Sequence, residues 1–380
     1  MKNFLVKTLL LITILSYGCK EEFQIDSIQF DDLLVVEGFI TNQPGPYTIK
    51  ISTSAHVDNP AKYPKTNCII NIQDDQGYSE KLMEIEPGVY NTDKIQGEIG
   101  KSYKISIVTP DNKEYESEFQ EMLTPVEIDT IFANLEYHDS DENSFKNPGY
   151  QFYVNTKQST QSENYYLWTL NETYEYTVDY TVFDVTQITD NNARFIRDFT
   201  PLFRCWKTND VKKIYTAESA NLTSSLISNK SLHFVNAETK KLSHRYSLLL
   251  KQYTIDNTSY NFWKGIENQI SGENFLFLTQ PYNIKGGIVN INDSKEIVLG
   301  HFTVASVDEK RSFVNKPDVS FSYEICWVYL DKIDWGKAAD ENNLVYLVKT
   351  HNDLVGAIKP HCLDCRFEGG DINKPDFWID

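Results

Sequence analysis

The chain has little methionine, no surplus of basic residues and no long apolar run beyond its first residues. Three methionines, one of them the initiator, stand against 23 tyrosines and 21 phenylalanines, a bias that favours strands over helices. Acidic residues outnumber lysine and arginine 54 to 36, giving a net charge of −18. That sign excludes attraction by charge to nucleic acid or to an anionic membrane surface. No apolar stretch approaches the ~20 residues that a membrane-crossing helix needs. HExxH, GxSxG and Walker-type glycine loops are all missing, so no motif nominates an enzyme, and neither a cofactor nor a metal is expected. Charges are mixed without long single-sign blocks, and 41% hydrophobic content supports packed cores rather than disorder.

What the chain does have is an address at its start. Lys2 and Lys7 form a positive region, an apolar run extends from Leu9 to Leu15, and Gly18 immediately precedes Cys19. This is the pattern of a lipoprotein signal peptide. Residues 1–18 are expected to be removed and Cys19 to be lipidated (diacylated on its thiol, with palmitate among the lipids), which holds the chain to a membrane. Ser16 departs from the usual small aliphatic residue at its position, and an ordinary secretory signal with an incidental Cys19 is the alternative. Lys20, Glu21 and Glu22 resemble the export signal that sends Bacteroidota lipoproteins to the outer leaflet of the outer membrane. The expected location is therefore the outer membrane, lipid-anchored and facing the medium. Losing Lys2 and Lys7 would take the net charge to about −20.

Residues 19–32 read as a lipidated tether, and the first structured unit is expected over 33–124. Leu33–Ile40 reads as a strand ending in a Pro44-Gly45-Pro46 turn, and Tyr47–Ile51 alternates as its partner. The same grammar recurs at Cys68–Ile72 before Asp74-Asp75-Gln76-Gly77, at Gly88–Tyr90, and at Ser102–Val108 before Pro110-Asp111-Asn112. Short strands at roughly ten-residue spacing predict a small immunoglobulin-like β-sandwich. From 125 to 380 a larger, mainly antiparallel β domain with one packed helix is expected. Between Tyr166 and Val182 nearly every even position is apolar and most odd ones are polar, which predicts one buried and one wet face over a bent pair or one unusually long strand. Further strands are expected at His244–Leu250, Gly287–Ile291, Ile297–Phe302 and Val319–Tyr323. Behind the polar Asp256-Asn257-Thr258, the residues Tyr260, Trp263, Ile266 and Ile270 predict a helix lying across the sheet as a lid.

Six cysteines are present. Cys19 is assigned to lipid and Cys68 stands alone in the first unit, leaving Cys205, Cys326, Cys362 and Cys365 in the second. In an exported chain these four predict two disulfides, with three pairings open. Cys362-Leu363-Asp364-Cys365 after His361 is also a CxxC, which would suit zinc together with Cys205 or Cys326, but a second well-spaced ligand pair is missing. No βαβ pattern supports a thioredoxin-like role. His244 and His301 fall in or beside predicted strands and read as structural. Asp139, Asp141 and Asn143 imitate the opening of a calcium loop, yet Ser144 and Tyr150 occupy its glycine and glutamate positions. Cys205-Trp206 and Cys326-Trp327 predict aromatic packing beside disulfides.

Several stretches together resemble a family of Bacteroidota outer-membrane lipoproteins known as a domain of unknown function. They are Leu34–Thr41 with Gly45-Pro46-Tyr47, Glu86–Tyr90, Cys205-Trp206, Gln280-Pro281 with Lys285-Gly286, and Val298–Phe302, where the family usually has tyrosine in place of His301. Arg311 follows, and Cys362–Arg366, Gly369-Gly370 and Lys374–Trp378 close the set. Members are often encoded beside SusC-like TonB-dependent transporters. The resemblance implies a non-enzymatic binding or accessory subunit of such a nutrient transporter and supplies no catalytic residues. The alternative is a structural, envelope-assembly or adhesion component that binds only proteins; a hydrolase with an unrecognised site in the second unit is the third reading.

Overall fold

The computed structural model describes residues 33–54, 63–139, 146–161, 163–179, 184–189, 192–196, 202–220, 225–271, 284, 286–319, 326, 344–349 and 355–379. The signal peptide, Cys19, Lys20, Glu21 and Glu22 lie outside these residues, as do Asp141, Asn143, Trp327 and positions 320–323 of the last expected strand.

The chain is mainly β, as its composition predicts. The first unit contributes β1 (Leu34–Thr41), β2 (Thr48–Thr53), β3 (Tyr63–Pro64), β4 (Ile69–Asp74), β5 (Ser79–Lys81), β6 (Met83–Glu86), β7 (Val89–Asn91), β8 (Ser102–Val108), β9 (Glu114–Ser117) and β10 (Gln120–Glu121). Longer strands follow: β11 (Ile128–Asp139), β12 (Lys146–Thr156), β13 (Tyr165–Thr177), β14 (Asp184–Thr189), β15 (Asn192–Ile196), β16 (Arg204–Asp210), β17 (Tyr215–Glu218), β18 (Lys230–Asn236) and β19 (Arg245–Ile255). Helix α1 (Asn257–Ser271) precedes β20 (Ile288–Asn290), β21 (Leu299–Asn315), β22 (Leu344–Lys349) and β23 (Val355–Ile358).

A ten-stranded sheet runs in the order β16-β13-β19-β21-β1-β2-β7-β6, with β17 beside β13 and β3 beside β2. Strand β21 splices its two ends. Leu299–Ala305 pair in parallel with β1, and Ser306–Asn315 pair antiparallel with β19. The sheet therefore crosses the boundary expected near residue 124. The two-layer packing expected of the first unit is present, but one layer is the end of this shared sheet. The other is a six-stranded sheet, β20-β9-β8-β4-β5 with β10, which takes β20 from residues beyond 280. Ile288, Val298, Phe302 and Val304 accordingly complete the core built by Val36, Ile49, Ile70 and Ile105.

Alternation explains how one sheet serves two cores. Along β13, β19, β21 and β1 the even-numbered side chains share a face, because the registers pair even with even throughout. At one end that face carries Val36, Ile40 and Phe302 against the six-stranded sheet. At the other it carries Tyr166, Trp168, Tyr246 and Leu248 against the three-stranded sheet β11-β12-β18. The connector between the ends is stitched by side chains. Trp168 Nε1 donates to Gln252 Oε1 at 2.9 Å, Gln252 Nε2 donates to the Val126 carbonyl at 2.5 Å, and the Ile128 amide donates to Asp308 Oδ2 at 2.6 Å.

The odd face of β13 is not wet, as the alternation suggested. Tyr165, Leu167 and Thr173 are buried, and Tyr165 and Leu167 join Ile255, Tyr260 and Ala305 in a third core beneath α1. The long pattern is one 13-residue strand whose outer edge is shared, β17 pairing with Tyr165–Trp168 and β16 with Asn171–Thr177. A helix laid across a sheet buries residues that polarity alone assigns to water.

Candidate functional site

Helix α1 starts where a cap residue is available. Asp256 Oδ1 accepts from the Ser259 amide at 2.7 Å, and its carbonyl accepts from the Tyr260 amide, satisfying two of the free donors of the first turn. Its apolar stripe then docks on the odd face of the sheet. Tyr260 meets Tyr165 with ring centroids 5.2 Å apart, and Trp263 stacks on Phe39 at 5.4 Å while its Nε1 donates to Thr303 Oγ1 at 3.0 Å. Ile270 does not follow this stripe and is 46% exposed. At 3.6 residues per turn, ten residues beyond Tyr260 the helix has rotated about 80° off that line.

On its apolar side α1 faces β1 and β2 across a cleft of about 630 Å³. Val35, Phe39, Phe262, Trp263, Ile266 and Leu299 give it greasy walls, and Glu37, Thr48 and Lys50 form a polar rim. The end wall is His301, which is buried and stacks on Phe262 at 5.0 Å. Its Nδ1 is held by the Gly286 carbonyl and Nε2 lies 2.9 Å from Ser259 Oγ, which is itself 3.0 Å from Gln120 Oε1. Burial pushes the imidazole below its ordinary pKa, against the opposing pull of the Gly286 carbonyl and Asp256, so it is neutral at physiological pH. A proton on Nδ1 then donates to Gly286, and Nε2 and Gln120 Oε1 share the single hydroxyl hydrogen of Ser259. A serine beside an imidazole is the atom pattern of a nucleophile and its base. Here Ser259 is fully buried and lines neither cleft, so the pair ties the start of α1 to β21 and β10. Two glycines make that clamp possible. A Cβ on Gly286 would lie 1.5 Å from the Gly300 carbonyl oxygen, and one on Gly300, whose φ is +83°, would lie 2.0 Å from that of Val36.

The other side of α1 faces β11, β12, β17 and β18 across a second cleft, of about 720 Å³ and mainly polar. Lys264 pairs with Glu267 at 2.7 Å, and Thr216 donates to Glu267 through both its amide, at 3.2 Å, and its hydroxyl, at 2.6 Å. Burial works against the Glu267 carboxylate. The hydrogen bonds from Lys264 and Thr216, with the charges of Lys264 and Lys230, nevertheless hold it below its ordinary range. Lys230 is half-buried, and desolvation lowers the pKa of its ammonium, with Glu267 pulling the other way. Lys213 and Tyr215 close the cleft from the β17 side.

The four cysteines of the second unit form two disulfides, Cys205–Cys365 and Cys326–Cys362, with Cα separations of 5.8 and 5.9 Å. This overturns the zinc reading of the CxxC. The sulfurs of Cys326 and Cys362 do lie within 4.8 Å of a His361 nitrogen, but bonded to each other they are not thiolates. None of the four lines either cleft. Their work is to fasten the C-terminal segment. Tyr176 donates to the Cys365 carbonyl at 2.5 Å, and Trp206 and Asp371 exchange both backbone bonds at 2.8 Å. Arg311 then stacks on Phe377, its Cζ 3.6 Å from the ring centroid. Cys68 is a buried thiol in the first core, its pKa raised by burial.

Sequence reasoning found Trp263 and Ile266 from helical spacing and marked His301 as structural. It missed Lys213, Lys230 and Lys264, which come from three separate segments with no local pattern among them. Comparison with curated proteins finds no relative that matches the chain. The family model described as a domain of unknown function (DUF4249) matches residues 20–311, which leaves the C-terminal cysteine segment outside the match. With well over half its length covered, the chain belongs to that family of unknown function.

Proposed function

We propose that the chain is a surface-exposed lipoprotein of the outer membrane, acting as a non-enzymatic binding or accessory subunit of a SusC-like TonB-dependent transporter. Its anchor is the lipidated Cys19, with Lys20, Glu21 and Glu22 as the export signal. The observation that carries the binding part is the pair of clefts sharing α1, each of a size that suits a small ligand, on a β scaffold. The resemblance to lipoproteins encoded beside such transporters supports the partner. Pull-down of the tagged protein from its native outer membrane in mild detergent, with mass spectrometry, tests the reading. A TonB-dependent barrel in stoichiometric amount is the expected result, and recovery of no barrel protein overturns the partner.

The second reading, an assembly or adhesion component with protein partners only, is favoured by β6. This edge strand of the large sheet presents Met83 and Ile85 at 62% and 54% exposure, a surface suited to strand addition. The same pull-down would then return assembly factors, and no ligand would saturate the protein.

A further inference from the structure

We infer that the polar cleft between α1, β12, β17 and β18 is a binding site for an acidic sugar, with Lys213 and Lys230 receiving its carboxylate. The chain carries a net charge of −18, yet this cleft collects three lysines, from α1, β18 and the loop before β17. Two acids line it as well, and both have cations of their own. Glu267 is held by Lys264 at 2.7 Å, and Asp139, at the open rim, lies 3.9 Å from Lys146. Lys213 and Lys230 are left without a carboxylate within salt-bridge distance among the described residues.

For Lys230 that vacancy is costly. Its ammonium is half-buried and has given up part of its water with only the longer-range pull of Glu267, which is already bonded to Lys264 and Thr216, in return. A carboxylate arriving with the ligand would complete it by a charge-assisted bond. The remaining walls argue against a bare anion. Asn147, Ser231 and Asn236 line it with amide and hydroxyl groups and Tyr215 with an aromatic ring, none of which a simple oxyanion needs. The opening of about 720 Å³ holds more than one sugar ring.

This inference rests on the reading of the chain as a binding protein, and not on its anchor or its transporter. The test is calorimetric titration of the full-length protein in detergent with trigalacturonate, a glucuronate disaccharide and sialyllactose, beside neutral maltotriose and inorganic phosphate. At least one acidic sugar should bind saturably and more tightly than either control. Lys230→Met should weaken it by about tenfold or more, Lys213→Met should weaken it less, and Lys81→Met on the remote β5 should leave it unchanged. Circular dichroism of each variant checks that the fold is kept. No binding by any acidic sugar, binding no tighter than phosphate, or an unchanged Lys230→Met affinity would each overturn the site. Binding that survives while the pull-down finds no barrel would remove the transporter and leave the site standing.

Discussion

The two sides of α1 use one helix for opposite chemistry. Toward β1 and β2 it presents Phe262, Trp263 and Ile266, and the buried polar group of that wall is His301, held between Gly286 and Ser259. Toward β12, β17 and β18 it presents Lys264 and Glu267, and the opposite wall adds Lys213 and Lys230. On the apolar side the buried imidazole of His301 has partners at both nitrogens among the described residues, so the surface is ready for hydrocarbon or aromatic contact. On the polar side the ammonium groups of Lys213 and Lys230 are left over. A greasy cleft and a cleft with unpaired cations make different demands on a ligand, and only the second specifies the ligand's sign.

The comparison breaks most completely at Gly300. Gly300→Val forces a side chain into the Val36 carbonyl at a positive φ, and should cost more than about 4 kcal/mol, separating β1 from β21 and abolishing the apolar cleft. Loss of cooperative thermal unfolding by circular dichroism is the expected readout. Trp263→Ala removes the stack on Phe39 and the bond to Thr303. It should cost about 2–3 kcal/mol with the polar cleft intact, seen as a lower urea midpoint at unchanged slope.

Acid sharpens the difference between the cleft charges and the core beneath them. His233 is mostly buried beside Glu172, and burial lowers its pKa to about 4 against the pull of that carboxylate. The unfolded chain therefore binds its proton first. Stability should be full above pH 6.5 and fall as the pH drops toward 4, by roughly 1–3 kcal/mol for this group. His233→Gln should flatten that part of the curve in denaturant titrations at stepped pH. The smallest effect has the opposite sign. Lys230→Met should raise stability by about 0.5–1 kcal/mol, since it removes a desolvated ammonium with no carboxylate at salt-bridge distance among the described residues. A lower melting temperature for this variant would show that the charge already has a partner.

Local features were legible in the sequence. The turn around Pro44-Gly45-Pro46 and the strands flanking it stand where alternation places them, and the polar step at Asp256 opens α1 as its cap. Four cysteines in one region meant two disulfides, while the pairing depended on the β16 edge meeting a turn 160 residues later. What stayed hidden was contact between distant segments. Nothing in Leu34–Thr41 says that its second neighbour is a parallel strand starting at Leu299, because parallel pairing leaves no hairpin turn to mark it. The odd positions of β13 look solvated until α1 is laid over them, and the lysines of the polar cleft become a cluster only when β17, β18 and α1 converge.

The β1–β21 pairing also sets an order of events. β1 leaves the ribosome early, but the strand that closes its open edge comes some 260 residues later, and β9 must likewise wait for β20. Until then the first core is incomplete and a row of backbone donors and acceptors stays unpaired, the condition in which nascent chains stick to one another. Completion of the N-terminal end is thus tied to the arrival of the C-terminal part. A chain truncated before residue 299 would expose a raw sheet edge in place of a smaller, finished domain.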